Sequence, residues 1–398
     1  NITLRLDFNK GSGSANGWLN YIEVMARRKL VMYGGQMIFK DLRSVDTGNV
    51  CEFTLSDGDG STVWDVSDPY NITSVSYNTS GNDAVFTLET DTLKEFIAFN
   101  GQSYLKPSFV GVVENQDLHA LNDVEMVIVC PDVFYDQALR LKTIHTDHDG
   151  LSVEVIRQQQ IFNEFSGGKQ DICAIRDFMK MLYDRANNGA GIGPKYLLLF
   201  GDGSYDMKDR ISGNTNYILT YQSPSSLNPI SSLTSDDFFG LLDESEGQNI
   251  FSNTNMLDIG IGRFPAKTNE EARILVDKVE AYLSSESMGS WRNNVCFVAD
   301  DEDYNIHIND ADYLAGFINS NYPSYNIDKI FFDAYSQVSV AGGERYPDVQ
   351  KAINDKMFSG TLILNYTGHG GELGWAHERV LNNTDIAQWS NSDKLPLF

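Results

Sequence analysis

His369 stands in the run Gly368-His369-Gly370-Gly371-Glu372, directly after the apolar stretch TLILNYT. Glycines on both sides let the backbone turn tightly and let a substrate come close. An imidazole in such a place is the usual general base, or partner of a thiolate, near neutral pH. The plainer alternative is a structural histidine in a glycine turn. Two other apolar runs also end in chemically loaded residues: Asp300-Asp301-Glu302-Asp303 after VCFVA, and Gly201-Asp202-Gly203-Ser204 after YLLLF. Open α/β sheets gather function at the carboxyl ends of their strands, so these three exits form one candidate set.

The acidic run admits several chemistries. It could hold a divalent cation, or present a phosphoacceptor at Asp300 or Asp301. It could also supply the acid that orients His369 by accepting its second ring N–H, a role open to Glu302 or Asp301. The plain reading is a solvated turn whose carboxylates favour a following helix N-terminus. Asp202, and Asp236 and Asp237 in Ser235-Asp236-Asp237, could line a pocket or bind calcium. His145 and His148, in HTDHDG, are read as a solvated turn rather than a metal site. His119, His307 and His377 lack convincing ligand spacing. Walker, GxGxxG and HExxH patterns are absent, which removes nucleotide-binding and zincin readings.

Cys51, Cys130, Cys173 and Cys296 show no CxxC pair, and Cys130 and Cys296 lie inside apolar strand-like runs. Buried structural thiols account for them, and they are no disulfide framework. Cysteine usage therefore leaves the compartment open.

These residues need elements to position them. Residues 1–123 read as an all-β, sandwich-like domain. ITLRLDF, KLVMYGGQMIFK, CEFTLSD, STVWDVS and DAVFTLET are strand-like, with Gly, Asp, Asn and Ser between them. From residue 124 strands alternate with helices, which implies βαβ units and a mainly parallel sheet. A first α/β set spans 124–290. In it AIRDFMKMLYDRA carries apolar residues at helical spacing behind the cap Asp171, and Thr268 with Glu271 forms a capping-box pattern. A second set spans 291–398: strands NNVCFVAD, KIFFDA and GTLILNYT, helices DADYLAGFINSNY and PDVQKAINDKMF, and a short helix at TDIAQWS. LPLF then starts a further strand, which makes Phe398 an unexpected place for a domain to finish. Asn1, with no leader before it, suggests a processed or excised piece.

The 398 residues, 41% hydrophobic and 12% aromatic, are those of a folded chain with more than one domain. Acidic residues outnumber basic ones 55 to 30, for a formal charge of −25. No basic footprint exists to neutralise phosphates, so nucleic acid is excluded as a partner and anionic membrane surfaces are disfavoured. No apolar run is long enough to span a bilayer.

Taken together, IFNEFSGGKQDICAIRDFMKMLYDRA, PKYLLLFGDGSYD, IGIGRFPAKT, FVADDEDY and NYTGHGGELGWAHERVL resemble the gingipain family of cysteine peptidases, over roughly residues 124–398. Within it they are most like the sortase-like surface peptidases of type IX secretion, whose preceding domain the β-rich first part resembles. The resemblance implies a caspase-like α/β fold in two subdomains, with His369 as the catalytic histidine. It puts Glu302 at the place of the supporting acid, with Asp301 an equal match. Gly368 and Gly370 would shape the turn and the oxyanion site. The nucleophilic cysteine would lie at the carboxyl end of the LPLF strand, past Phe398. None of the four cysteines matches it, so the chain as it stands is expected not to hydrolyse peptides by itself.

By the same resemblance the reaction would remove C-terminal sorting signals from secreted cargo and transfer the cargo to lipopolysaccharide. It would occur at the bacterial cell surface, peripheral to the outer membrane and beside an outer-membrane β-barrel partner (PorV-like). No cofactor is required, and calcium is admitted as a structural ion. The competing expectation is a non-catalytic surface assembly or binding module on the same fold.

Overall fold

The computed structural model describes residues 3–13, 15, 17, 19, 21–24, 26–101, 106–223, 232–371 and 373–398. It divides into two compact units, Asn1–Val113 and Glu114–Phe398.

In the first unit a four-stranded antiparallel sheet takes the order Gln36–Lys40, Glu95–Phe99, Thr62–Asp65, Thr73–Val75. A three-stranded antiparallel sheet takes the order Val50–Leu55, Asp83–Glu89, Asn78–Ser80. Alternate residues of both sheets turn inward, giving a core of Phe53, Leu55, Val63, Ala84, Phe86, Phe96 and Ala98. Three of its rings, Phe53, Phe86 and Phe96, meet pairwise at 5.1–5.5 Å.

Two readings of this region need correction. ITLRLDF alternates like a strand, yet its residues Thr3–Phe8 are exposed and belong to no strand. Period-2 patterning yields a strand only where a partner supplies the ladder bonds. KLVMYGGQMIFK is not continuous either. Gly34 takes a left-handed φ of 68°; Gln36–Lys40 joins the four-stranded sheet, while Val31 before it makes only an isolated parallel bridge to Ser56.

The second unit is α/β, and its strands are labelled from here. β1 (Met126–Cys130), β2 (Val153–Arg157), β3 (Tyr196–Phe200) and β4 (Gly260–Phe264) form a wholly parallel sheet in the order β4-β3-β1-β2. Successive residues point to opposite faces, and both faces are covered. Val127, Val129, Leu197 and Leu199 meet α2 (Gln158–Phe165) and α3 (Ile172–Asn187). Met126, Ile128, Cys130, Leu198 and Phe200 meet α1 (Tyr135–Asp149) and α4 (Asn269–Leu283). That double burial is why MVIVC and YLLLF read as unbroken apolar runs.

The predicted caps are in place. Asp171 accepts from Cys173 N at 2.9 Å, and Thr268 accepts from Glu271 N at 3.1 Å. Glu271 returns its bond one residue early, to Lys267 N at 2.7 Å. HTDHDG is a helix end rather than a turn: His145 and His148 close α1 and both bond the carboxylate of Asp149 at 2.7 Å.

A second parallel sheet has β5 (Asn294–Ala299) at its centre, with β6 (Asn326–Phe331) on one side and β7 (Ile363–Thr367) on the other. α5 (Ile306–Asn321) covers Val295, Phe297 and Ala299, while α6 (Pro347–Ser359) covers Cys296, Val298, Ile330 and Leu364. On the outer edge of β7, Leu397 pairs in parallel with Ile363. Leu397 N bonds Leu362 O at 2.9 Å, and Leu364 N bonds Leu397 O at 2.8 Å. The LPLF segment thus lies beside the strand that delivers His369. α7 (Asn383–Gln388) precedes it, with a capping box on Asn382.

Candidate active site

β5 and β7 run parallel and in register, Val295 opposite Ile363 and Ala299 opposite Thr367. Their next residues therefore leave the sheet side by side. Asp300 N extends the ladder to Thr367 O at 3.1 Å, and Gly368 follows on the other strand. A Cβ on Gly368 would lie 2.5 Å from both the Asp300 Cβ and the Tyr366 hydroxyl, so only glycine lets the two exits close up. Gly368→Ala is expected to cost about 1–3 kcal/mol, as overpacking does. It should also part Asp300 from His369, and a thermal melt of the variant reads the first effect.

Asp300 is completely buried, and its carboxylate organises the turn. One oxygen accepts from His369 N at 3.2 Å and faces His369 Nδ1 at 3.2 Å. The other accepts from Glu302 N at 3.2 Å. So enclosed, Asp300 offers no free face to a phosphoryl donor, which removes the phosphoacceptor reading at this residue. The His369 carbonyl is fixed as well, accepting from the Tyr366 hydroxyl at 2.6 Å and from Ala376 N at 2.7 Å. Tyr366 stacks on Trp375 at 4.3 Å, and burial, then the Asp300 charge, push its hydroxyl pKa up. Backbone and ring of His369 are thus both held, and the side chain remains 41% exposed.

The other acids of the run take different directions. Glu302 reaches His369 Nδ1 at 3.5 Å and His377 Nδ1 at 3.1 Å. That hydrogen bond and charge raise the His377 pKa above the ordinary histidine value. Asp301 turns away and accepts from the Tyr346 hydroxyl at 2.6 Å. Asp303 lies over the opposite edge of the imidazole, 3.2 Å from His369 Nε2. Asp300, grouped by sequence with the cation candidates, is therefore the buried acid on the ring. Gly370 and Gly371 form a short hairpin with Gly374 and Trp375. A cleft of about 450 Å³ opens there, lined by His369, Gly370, Gly371, Leu373, Gly374, Ala376, His377 and Arg379. Glu372 lies outside the described residues.

The exit after β3 is a separate place. Arg263 donates to both oxygens of Asp236 at 2.7 Å and to the carbonyls of Gly201, Ile218 and Leu219. The guanidinium already supplies the positive charge a cation would bring to Asp236. Asp202 accepts from the Thr215 hydroxyl at 2.5 Å, with Lys267 3.7 Å away, and Asp237 is exposed. These carboxylates knit loops together at some distance in sequence from the His369 turn.

His307 and His377 are what sequence reasoning passed over. The fold brings both rings beside His369, with centroids 5.1 and 5.8 Å away. The only local hint was the four-residue spacing from Asp303 to His307. His119 is structural, bonded to Glu164 at 2.6 Å and stacked on Phe165. Of the four cysteines expected to be buried, Cys130 and Cys296 are, and burial pushes both thiols up to about 12; Cys51 is only half-buried and Cys173, on the first turn of α3, is exposed.

The profile of peptidase family C25 matches residues 119–398. The crystal structure of dimeric latent PorU from Porphyromonas gingivalis is similar at 28% identity and a TM-score of 0.58. The match covers 90% of this chain but only 31% of that one. A structure of a protease is 18% identical over 69% of this chain and 51% of that one, with a TM-score of 0.46, too distant to carry weight. No curated protein matches significantly. The fold of the second unit is the caspase-like α/β of the gingipains, preceded by a β-sandwich, and the chain belongs to peptidase family C25, the gingipain family of cysteine peptidases.

Proposed function

We propose that this chain carries the histidine half of a cysteine peptidase centre. His369 is the general base, Asp300 orients it, and the nucleophilic thiol stands on the strand begun at Leu397. The observation that carries the reading is the register at the edge of β7. Leu397 is level with Ile363, four residues before Thr367 and six before His369. A parallel strand continuing from there would end level with His369, and its exit residue would stand beside the half-exposed imidazole. A thiolate there would form an acyl-enzyme with the substrate carbonyl and expel the amine of the leaving segment. Backbone N–H groups near Gly370 would face the developing oxyanion. Water resolving the acyl-enzyme gives hydrolysis; an amine gives transfer.

In this reading the substrates are secreted proteins with C-terminal sorting domains, and the acceptor is an amine on surface lipopolysaccharide. The setting is the bacterial cell surface, peripheral to the outer membrane and next to a β-barrel partner, within type IX secretion. Similarity to PorU supports it, as does the β-sandwich ahead of the peptidase unit. Among the described residues no helix is long and apolar enough to cross a membrane. The test is to incubate the protein, extended past Phe398, with a cargo bearing a C-terminal sorting domain and a small amine. Cleavage before that domain with amine adduct on the cargo is expected. Intact cargo under all conditions leaves the competing reading, a surface assembly module without catalysis.

Structural calcium fits best in this proposal at Asp243, Glu246 and Asp258, whose oxygens lie within 4.8 Å of one another. Glu246 is buried, and its Oε2 has no partner, an uncompensated acceptor that a cation would satisfy. Chelation is expected to lower Tm by about 5 °C or more, restored by added calcium. An unchanged Tm removes the ion from the account.

A further inference from the structure

The ring edge of His369 that faces away from Asp300 is part of a second, unassigned cluster. Its Nε2 lies 3.2 Å from Asp303 Oδ2, and the same oxygen lies 3.5 Å from His307 Nε2. All three donor atoms fall within 4.8 Å of one another. His307 Nε2 is shielded from solvent and makes no hydrogen bond, although its ring is edge-on to that of His369. A buried ring nitrogen without a hydrogen bond is costly unless something else uses its lone pair.

We propose that His307, His369 and Asp303 form a binding site for a divalent transition-metal ion of the zinc class. Tetrahedral zinc with ligands at about 2.1 Å places neighbouring donors about 3.4 Å apart, close to the two spacings here. Two imidazoles and one carboxylate suit zinc, whereas calcium and magnesium prefer all-oxygen shells. The outer partner is in place too: Asp300 faces His369 Nδ1 at 3.2 Å, the carboxylate–histidine arrangement that orients a ligating ring toward its metal. Entry is open, because Asp303 and His369 are both partly exposed. Asp303 is delivered over the ring by consecutive left-handed residues, Asp303, Tyr304 and Asn305, at φ 52°, 57° and 62°. That conformation is uncommon and strained for non-glycine residues such as Tyr304, and it lies at the start of the helix that carries His307.

Three protein ligands leave a fourth position for water or a thiolate. Binding of the ion does not depend on the peptidase reading; its consequence does. A metal on Nε2 occupies the nitrogen that would take the thiol proton, so the ion would act as a reversible brake on the proposed chemistry.

The test is titration of this chain with zinc chloride by calorimetry, with cobalt chloride as a spectroscopic stand-in, for the parent, His307→Gln and Asp303→Asn. One ion per chain is expected, with a tetrahedral cobalt spectrum. Each variant should weaken binding by more than the ten- to hundredfold that losing an outer partner costs. Circular dichroism establishes that the variants are folded, and two chemically different substitutions guard against a loss from misfolding. No stoichiometric binding, or binding equal in parent and variants, overturns the proposal. Zinc that binds here but leaves cargo cleavage in the extended protein untouched keeps the site and counts against His369 as the base. Cleavage that depends on His369 but shows no zinc binding does the reverse.

Discussion

Replacing His369 by alanine in the extended protein is expected to lower kcat/KM for cargo cleavage by at least about a thousandfold, with folding retained. Removing the base of a nucleophile–base pair disables the unit rather than trimming it. The side chain is half exposed at the lip of the cleft, and the contacts to Tyr366 and Ala376 are made by the His369 backbone rather than by the ring. Alanine keeps that backbone, including the carbonyl that accepts from Tyr366 and Ala376. Tm should therefore move by only a degree or two while activity collapses. Cleavage kinetics and a melt on the same preparation check both halves of this expectation.

Asp300→Asn is expected to have the second-largest effect, lowering kcat by about a hundredfold to ten-thousandfold with little change in KM. The carboxylate can only accept, and it faces the His369 amide, His369 Nδ1 and the Glu302 amide. An amide at the same place presents N–H to at least one of these donors and favours the wrong ring tautomer. Asp300→Ala should also destabilise the fold, since two part-buried backbone N–H groups lose their partner, each at up to about 1–3 kcal/mol. The neighbouring acids make the controls. Glu302→Gln, at 3.5 Å and shared with His377, should cost far less. Asp301→Asn should act on the contact with Tyr346 and leave kcat nearly unchanged. A ranking with Asp301 or Glu302 above Asp300 would reassign the orienting acid.

That ranking marks where sequence stops being informative. His369 was legible because an apolar strand ends in glycines around an imidazole, a local pattern. Which of four consecutive acids faces it was not, because the answer lies in a pairing across 69 residues. Ala299 stands opposite Thr367, so the next residue, Asp300, is the one left inside the sheet's end. Asp301 and Glu302 have already entered the loop. The parallel sheets were legible from runs buried on both faces, as in MVIVC. Helix α1 was hidden because few of its residues, chiefly Ala138 and Leu141, are fully buried, which leaves weak periodicity and a polar HTDHD end. ITLRLDF misled in the opposite sense, having the pattern without a partner strand. EFIAF (Glu95–Phe99), a central strand of the first sandwich sheet, was overlooked beside the stronger alternation of DAVFTLET. His307 entered the site only because α5 starts where the acidic loop ends.

The most direct test of the central claim is thiol reactivity. The extended protein is labelled with a thiol-directed electrophile between about pH 5 and 9, and the labelled peptides are mapped by mass spectrometry. Cys130 and Cys296, with thiols pushed up to about 12 by burial, should stay nearly unlabelled throughout. A cysteine at the end of the strand begun at Leu397 should label fast already at about pH 6–7 and slow by at least about tenfold in His369→Ala, because the imidazole holds it as thiolate. Even labelling of all accessible cysteines, or a rate indifferent to His369, would contradict the account and leave a binding module on a peptidase fold.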